Sequence, residues 1–184
     1  MAILETPRLY LREFDRADAD ALALILGDRE TMRYYPAAYD RKGVEDWIDR
    51  NLTRYATDGF SLWALVLKES GEMIGDCGLI HQVVEGLDEV EIGYHLRRDH
   101  WGQGLATEAA RACRDYGFRS LPVDRLISLI RPENMPSRRV AERNGMKVWK
   151  EVAWRDLPHC VYAITRSEWQ RQNEDGQPAR PREK

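Results

Sequence analysis

The apolar residues of this chain change their spacing along the sequence, and each change predicts a different kind of element. Between residues 16 and 57 they recur every three to four positions, as in amphipathic helices. From residue 60 to residue 96 they form short apolar or alternating runs separated by glycine-containing turns. This second pattern predicts three consecutive antiparallel strands.

The same criteria give the order of elements along the whole chain. The predicted strands are residues 8–14, 60–68, 72–83, 90–96, 125–131, 146–154 and 160–165. The predicted helices are residues 16–27, 42–57, 105–120 and 134–143, with a last helical turn around Trp169. This order predicts an α+β fold in which helices cover a sheet whose central strands form a meander.

Length and composition favour one domain, which we place at residues 1–172. The chain has 184 residues, of which 43% are hydrophobic and 32% are charged. These values are close to the average for globular domains and allow one sizeable core. Residues 173–184 contain no large apolar side chain, so we expect this tail to be disordered.

Several classes of protein are disfavoured. No apolar run reaches the roughly 18 residues of a membrane span, and the first residues do not resemble a signal peptide, so we expect a cytoplasmic protein without a membrane partner. The net charge of −3 disfavours nucleic acid as the main partner. Cys77, Cys113 and Cys160 are widely spaced and include no CxxC pair, which argues against disulfides and against a metal site. We expect all three to be small buried apolar side chains.

One candidate site lies where a strand ending at Leu96 leads into a helix through Trp101-Gly-Gln-Gly104. Glycines at 102 and 104 let the backbone approach a ligand closely, and the helix adds its positive N-terminal end. Such a turn suits a pyrophosphate. The same sequence is also typical of a tight strand-to-helix connection without a ligand, and it is not a P-loop, because GxxxxGK[ST] is absent.

A second candidate segment runs from Arg131 to Met146. Asn134 is a plausible helix N-cap, with Pro136 and Ser137 in the first turn. Taken alone, this segment needs no function beyond starting a helix.

Together these segments resemble the Gcn5-related N-acetyltransferase (GNAT) family, and more closely its RimJ and RimL-like branch, which acetylates ribosomal proteins. The resemblance extends from Leu4 to about Gln172. Four segments carry it in the correct order, namely residues 4–13, 101–109, 134–146 and 161–169.

The resemblance implies a mixed sheet of about seven strands and about four helices, with acetyl-CoA bound between two splayed strands. These strands end at Leu96 and near Arg131, and Gly93 would form the bulge that begins the splay. The implied cofactor-binding residues are Leu96, Arg98, Trp101, Gly102, Gln103, Gly104, Leu105, Ala106, Asn134 and Ser137. Arg97 or Arg98 would add charge near the phosphates, and Arg138 or Arg139 would reach the nucleotide.

Two positions depart from the family pattern. Trp101 stands where the general motif begins with Gln or Arg, a change compatible with a loop that binds mainly through backbone N–H groups. Ala141 stands where many members have a tyrosine general acid, so Ser137 is the candidate acid for the leaving thiolate.

Catalysis would proceed by direct attack of an amine on the thioester. Glu91 is the candidate base, through a water, and the Leu96 N–H would polarise the carbonyl. His95 and His100 are rival bases, and each is also explicable as a surface histidine.

The acceptor pocket is expected beside the loop that joins the first two helices. Tyr34, Tyr35, Tyr39 and Trp154 are candidate lining residues, although tyrosines in such a loop are also typical of simple packing. A protein N-terminus, an aminoglycoside, a polyamine and an amino-acid-like metabolite all remain open as acceptors. The chain is expected to be a monomer or a homodimer. A non-catalytic acyl-CoA-binding module and a plain interaction domain are the alternative functions.

Overall fold

The computed structural model describes residues 1–175, which form one mixed sheet with helices on both faces. The strands are β1 (Ala2–Glu5), β2 (Leu9–Arg12), β3 (Leu62–Leu67), β4 (Met73–Val84), β5 (Leu87–Leu96), β6 (Arg125–Ile130), β7 (Lys147–Trp154) and β8 (Leu157–Thr165). The helices are α1 (Ala19–Leu26), α2 (Arg41–Asp58), α3 (Leu105–Ser120), α4 (Met135–Arg143) and α5 (Arg166–Asp175). The sheet order is β1-β2-β3-β4-β5-β6-β8-β7, and β5 with β6 is the parallel pair.

The α+β prediction is confirmed, with two additions at the ends of the chain. β1 was not predicted, because Ala2–Glu5 is four residues long and mostly exposed, so it shows no apolar alternation. The predicted turn around Trp169 is the helix α5, which continues to Asp175 and includes the first three residues of the predicted disordered tail. Residues 176–184 lie outside the described residues.

Two apolar layers fix the sheet between its helices. On one face, α3 packs its buried residues, Leu105, Ala109 and Cys113 among them, against β4, β5 and β6. On the other face, α1 and α2 pack against Leu62 and Ala64 of β3. The central strands are therefore covered on both sides, and ligands can enter only where the strands separate or end.

The β4–β5 hairpin determines which residues face each other in the site. Glu85 and Gly86 form its turn, and both have a positive φ (50° and 79°), as in a type I′ turn. Pairing then runs without a register shift as far as Gly75 opposite Leu96. β4 and β5 therefore extend closer to the turn than the strands predicted at residues 72–83 and 90–96.

The bulge predicted at Gly93 is wrong. Gly93 pairs regularly with Gly78 inside the uninterrupted β4–β5 ladder. Its lack of a side chain instead makes room, because a Cβ there would lie 3.1 Å from Cδ2 of Leu62.

The implied splay is confirmed between β5 and β6. These strands share a single backbone pair, Glu91 with Ile127, and then diverge. Where the backbone pairs between β5 and β6 are missing, hydrogen bonds from side chains join the two strands. Ser128 Oγ donates to the Ile92 carbonyl at 2.8 Å, and the Leu129 N–H donates to Glu91 Oε1 at 3.0 Å.

All three cysteines are free and buried, as predicted. Cys77 on β4 and Cys113 on α3 bring their sulfur atoms to 3.5 Å inside the core between strand and helix. Within residues 1–175, every helix is too short or too polar to cross a bilayer.

Candidate active site

The loop before α3 presents unpaired backbone donors to one side of the splay. Gly102 and Gly104 have positive φ values of 76° and 79°, which only glycine adopts without strain. Gly104 is also the N-cap of α3, so no side chain satisfies the first N–H groups of the helix. A helix N-terminus left open in this way favours an anion.

The outer side of this loop is anchored by residues far away in sequence. Glu108, in the first turn of α3, accepts hydrogen bonds from Thr6 Oγ1 (2.6 Å), the Arg8 N–H (2.9 Å) and Arg8 Nε (2.7 Å). Arg8 also donates to the Gln103 carbonyl at 2.9 Å. The β1–β2 turn therefore holds the loop in place and neutralises a carboxylate close to the anion site.

Trp101 closes the end of β5. Its indole N–H donates to the Leu96 carbonyl at 2.7 Å, so that oxygen is already bonded within the protein.

The two arginines after β5 differ in their contacts. Arg97 pairs with Glu72 and Asp99, at 2.6 and 2.7 Å. Among the described residues the Arg98 side chain has no hydrogen-bond partner, which makes Arg98 the better candidate for a phosphate contact.

The start of α4 forms the opposite wall of the splay. Asn134 caps the helix by accepting the Ser137 N–H at Oδ1 (3.2 Å), and within residues 1–175 its Nδ2 donates to no protein atom. Tyr94 donates its hydroxyl to the Ser137 carbonyl at 2.8 Å, joining β5 to α4 across the splay. Arg138 is held by Tyr162 (2.9 Å) and by a backbone carbonyl, whereas Arg139 is exposed.

A hydrogen-bond chain whose inner members, His95 and Asp76, are buried lies on the other face of β5. His95 stands opposite Asp76 in the hairpin, with Nδ1 2.7 Å from Asp76 Oδ1. Its Nε2 lies 2.7 Å from the hydroxyl of Tyr35, in the loop between α1 and α2. Trp47 of α2 donates to the second oxygen of Asp76 at 3.1 Å. Because the carboxylate faces Nδ1, we assign the proton to Nδ1, and Nε2 then accepts from Tyr35.

The charge of Asp76 changes the titration of His95. Burial by itself lowers the pKa of this imidazole, but the charge and the hydrogen bond of Asp76 outweigh burial, so the pKa lies above its ordinary value. The imidazole is therefore a stronger proton acceptor than a free histidine.

Glu91 lies on the same face as His95 and is buried. Besides the Leu129 N–H on Oε1, it accepts the Gln82 amide on Oε2 at 2.8 Å. Burial raises the pKa of this carboxyl, and the two hydrogen bonds only partly offset that effect. Glu91 thus holds β6 at the splay as well as facing the site.

A cavity of about 580 Å³ opens beside this chain, at the loop between α1 and α2 where the acceptor pocket was expected. Its lining residues are Arg33, Tyr34, Tyr35, Pro36, Arg131, Glu133, Arg155 and Leu157. Tyr39 instead packs against Trp47, and Trp154 packs against His159 and beneath Arg155.

A larger cavity of about 720 Å³ lies along the outer side of α3, between that helix and β1. No residue of β5 or β6 lines it. It is therefore separate from the splay, and we place the chemistry in the smaller cavity.

Successive side chains of β5 point to opposite faces of the sheet, and this separates the loop before α3 from the 580 Å³ cavity. Ile92, Tyr94 and Leu96 belong to the layer beneath α3, next to the anion-binding loop. Glu91 and His95 point to the opposite face, toward Tyr35 and the cavity. β5 therefore lies between the loop before α3 and the cavity.

A family model described as "Acetyltransferase (GNAT) domain" matches residues 8–147, and it represents the RimJ and RimL-like branch. The chain belongs to the GNAT acetyltransferase family. It is 39% identical over 160 residues to the uncharacterized protein YkkB of Bacillus subtilis (strain 168), which covers 86% of this chain and 93% of YkkB. It is 34% identical over 158 residues to the uncharacterized N-acetyltransferase p20 of Bacillus licheniformis, covering 85% of this chain and 87% of p20.

A solved structure shows the same fold. The acetyltransferase from Agrobacterium tumefaciens str. C58 superposes with a TM-score of 0.73 at 30% identity, covering 88% of this chain and 92% of that one. This GNAT chain is accordingly an N-acetyltransferase that takes its acetyl group from acetyl-CoA.

The residues of this GNAT acetyltransferase fit such a donor. Among the described residues, the splay leaves the backbone of β5 without a strand partner on the β6 side beyond Glu91, the α3 N-terminus lacks a side-chain cap, and the Asn134 amide protons have no acceptor. These are the groups that an extended amide-containing arm and a pyrophosphate need. The roles assigned to Leu96, Ser137 and the individual loop residues stay predictions.

Sequence reasoning missed Asp76, Trp47, Gln82 and two of the three arginines of the cavity, Arg131 and Arg155. Asp76 had a usable signal: counting outward from a two-residue turn at 85–86 pairs it with His95. The other four reach this GNAT site from distant elements, and no local pattern marks them.

Proposed function

We propose that this acetyltransferase transfers its acetyl group to a primary amine bound in the 580 Å³ cavity, by direct attack of the amine nitrogen on the thioester carbon. A nitrogen–carbon bond forms and the carbon–sulfur bond breaks. The amine loses one proton, and the departing sulfur gains one. The observation that carries the proposal is the splay of β5 from β6, with an anion-binding loop on one face of β5 and a buried proton-accepting chain on the other.

Acetyl-CoA supplies an activated acyl group, and this chain's residues orient it. The Trp101 N–H already donates to the Arg98 carbonyl, so the N–H groups of residues 102–106 and the Arg98 side chain are proposed to hold the phosphates. Asn134 is proposed to bind the amide of the pantetheine arm. The Leu96 N–H is proposed to polarise the thioester carbonyl. Arg139, exposed on α4, is proposed to contact the nucleotide.

The proposed proton route starts at Tyr35. Tyr35 lines the cavity, and with the assigned tautomer its hydroxyl donates to His95, so the phenol oxygen can accept a proton from the bound amine. Burial raises the pKa of Tyr35, so the phenol stays neutral between turnovers. The proton passes on to His95 Nε2, and Asp76 stabilises the resulting imidazolium.

Glu91 remains the competing base, and its contacts favour a different role. Both of its oxygens already accept hydrogen bonds, from Leu129 and from Gln82. We assign to Glu91 the positioning of β6 and an electrostatic contribution to the basicity of His95.

Ser137 is the proposed acid for the departing thiolate. It stands in the first turn of α4, and its hydroxyl is without a hydrogen bond to any described residue. Tyr94 fixes this turn through the Ser137 carbonyl. In Ser137→Ala the backbone contact is kept, so kcat should fall while CoA affinity is unchanged.

Two substitutions distinguish the bases. Glu91→Gln preserves an oxygen for the Leu129 N–H, and Gln82 can turn its amide to meet the new side chain, so β6 should keep its position. Because the negative charge that supports the basicity of His95 is lost, we expect kcat to fall by about tenfold. His95→Asn should lower kcat by about a hundredfold or more, the usual contribution of a general base. The opposite ranking would make Glu91 the base.

Calorimetry, combined with the activity assay, distinguishes an enzyme from a non-catalytic acyl-CoA-binding module. Both variants should bind acetyl-CoA like the unmodified protein. Binding of acetyl-CoA without acetylation of any amine would support the non-catalytic acyl-CoA-binding module, and absence of binding up to millimolar acetyl-CoA would contradict the donor site.

A further inference from the structure

The acceptor cavity carries an unusual excess of positive charge for a site that binds an amine. Arg33, Arg131 and Arg155 line it against one carboxylate, Glu133. A cavity built for a polyamine or an aminoglycoside would need the opposite charge, because like charges brought together in a partly buried site repel.

Two of these arginines have donors without a protein acceptor. Arg131 reaches Glu133 through Nη2 at 3.2 Å, but its Nε is buried and has no partner among the described residues. A buried donor left unsatisfied is destabilising, which favours a ligand that accepts from it. Arg155 stacks on Trp154 at 4.2 Å, and within residues 1–175 it forms no hydrogen bond or ion pair. Arg33, in contrast, is bonded to Glu30 and to the Tyr34 hydroxyl.

The donor's phosphates do not explain these charges. No residue of the loop 101–106 lines the cavity, and its walls come from the α1–α2 loop, the β6–α4 loop and the β7–β8 turn. An anion held by Arg131 and Arg155 therefore belongs to the acceptor.

Resting on the proposed function, we propose that the acceptor is a small primary amine that also bears a carboxylate or phosphate, as an amino acid does. Its nitrogen lies at the Tyr35 hydroxyl, and its anionic group binds Arg131 and Arg155. Guanidinium groups suit both anions, because their donors match two oxygens at once. Both ends fit one cavity of about 580 Å³, so few bonds separate the amine from the anion.

Matched pairs of acceptors test the charge requirement. Release of the CoA thiol is measured with the full chain and acetyl-CoA for glycine and the eighteen L-amino acids that have a primary α-amine, each against its carboxamide, and for O-phosphoethanolamine against ethanolamine. Spermidine, kanamycin and a hexapeptide with a free N-terminus are included. We expect at least one acid to exceed its neutral partner in kcat/KM by about tenfold or more, the value of a charge-assisted hydrogen bond.

Variants connect that preference to the arginines. Arg131→Gln and Arg155→Gln should raise KM for the preferred anionic amine about tenfold, leave kcat within about threefold and abolish the preference over the neutral partner. Glu133→Gln should lower that KM. Arg155→Lys, which keeps the charge, should retain most of the preference, and Arg171→Gln, exposed on α5, should change nothing.

The outcomes separate the two proposals. Acetylation of spermidine, kanamycin or the peptide in preference to every anionic amine would overturn the anionic acceptor and leave the acetyltransferase mechanism intact. Equal rates for acid and neutral partners would do the same. Failure to acetylate any amine, with acetyl-CoA still bound, would overturn the proposed reaction itself.

Discussion

At the residue scale, Asp76 has the strongest influence on the proposed chemistry without contacting the cavity. Its carboxylate is fully buried and accepts from the His95 ring, the His95 N–H and Trp47. It therefore fixes both the orientation and the charge preference of the imidazole that receives the proton.

This arrangement predicts a pH dependence. Turnover needs neutral His95, so kcat should fall on the acidic side of an apparent pKa above the ordinary 6.5. In Asp76→Asn the raising influence is lost while burial persists, so the acidic limb should move to lower pH. Rate measurements from pH 5 to pH 9, with an NMR titration of His95, check this. If the acidic limb of the kcat profile does not move in Asp76→Asn, a group other than His95 is responsible for it.

A second residue-scale prediction concerns Gly104. Gly104→Ala places a Cβ at a φ of 79°, which should cost about 1 kcal/mol of stability and disturb the N–H groups aimed at the phosphates. CoA affinity measured by calorimetry should fall. Gly71→Ala is the matched control, because Gly71 has a φ of 71°, no atom within 4 Å of the added Cβ, and a position in the β3–β4 turn. Equal CoA affinity in the two variants would contradict the assignment.

At the element scale, the end of α3 is held by one side chain from α5. Arg166 donates to the carbonyls of Phe118, Leu121 (2.8 Å) and Val123 (3.0 Å). These carbonyls belong to the last turn of α3 and to the connection into β6, so Arg166 links the helix that carries the anion site to one of the splayed strands.

Arg166→Lys should destabilise the protein by about 2 to 4 kcal/mol. One ammonium cannot satisfy three separate carbonyls as the guanidinium does, and each lost charged hydrogen bond costs about 1.5 to 3 kcal/mol. Urea denaturation measures the change, with exposed Arg171→Lys on the same helix as the control. A loss below about 0.5 kcal/mol, no larger than that of Arg171→Lys, would show that Arg166 is dispensable.

The elements themselves were largely predictable, whereas the contacts between them were not. The spacing of apolar residues predicted the helices and the β3–β4–β5 meander, because the pattern of an amphipathic face repeats within a short stretch of sequence. β1 has no such face. The Asp76–His95 pair depends on hairpin register, and Arg166 reaches its carbonyls over more than forty residues. Such pairings depend on tertiary structure, which leaves no periodic trace in one sequence.

At the scale of the whole molecule, donor binding and folding are coupled. The site joins β5, α3 and α4, so a ligand that binds the folded state alone should stabilise the entire domain. CoA at about 100 times its Kd should add about 2.7 kcal/mol, which corresponds to a Tm rise of roughly 5 to 10 °C for a chain of this size.

Scanning calorimetry with and without CoA measures this rise. His95→Asn should show the same rise, because His95 faces the acceptor cavity. A rise that disappears in His95→Asn would show that the two faces of β5 are not independent.

The independence of the two faces of β5 has a consequence for how such enzymes diversify. The proposed acceptor cavity is built from three loops, while the proposed donor site lies at the splayed strands and the starts of α3 and α4. Mutations in those loops can therefore accumulate under selection for new amines while the costly donor machinery is inherited unchanged. A descendant of this chain would change its substrate by exchanging residues such as Arg131 and Arg155, without first losing the ability to handle acetyl-CoA.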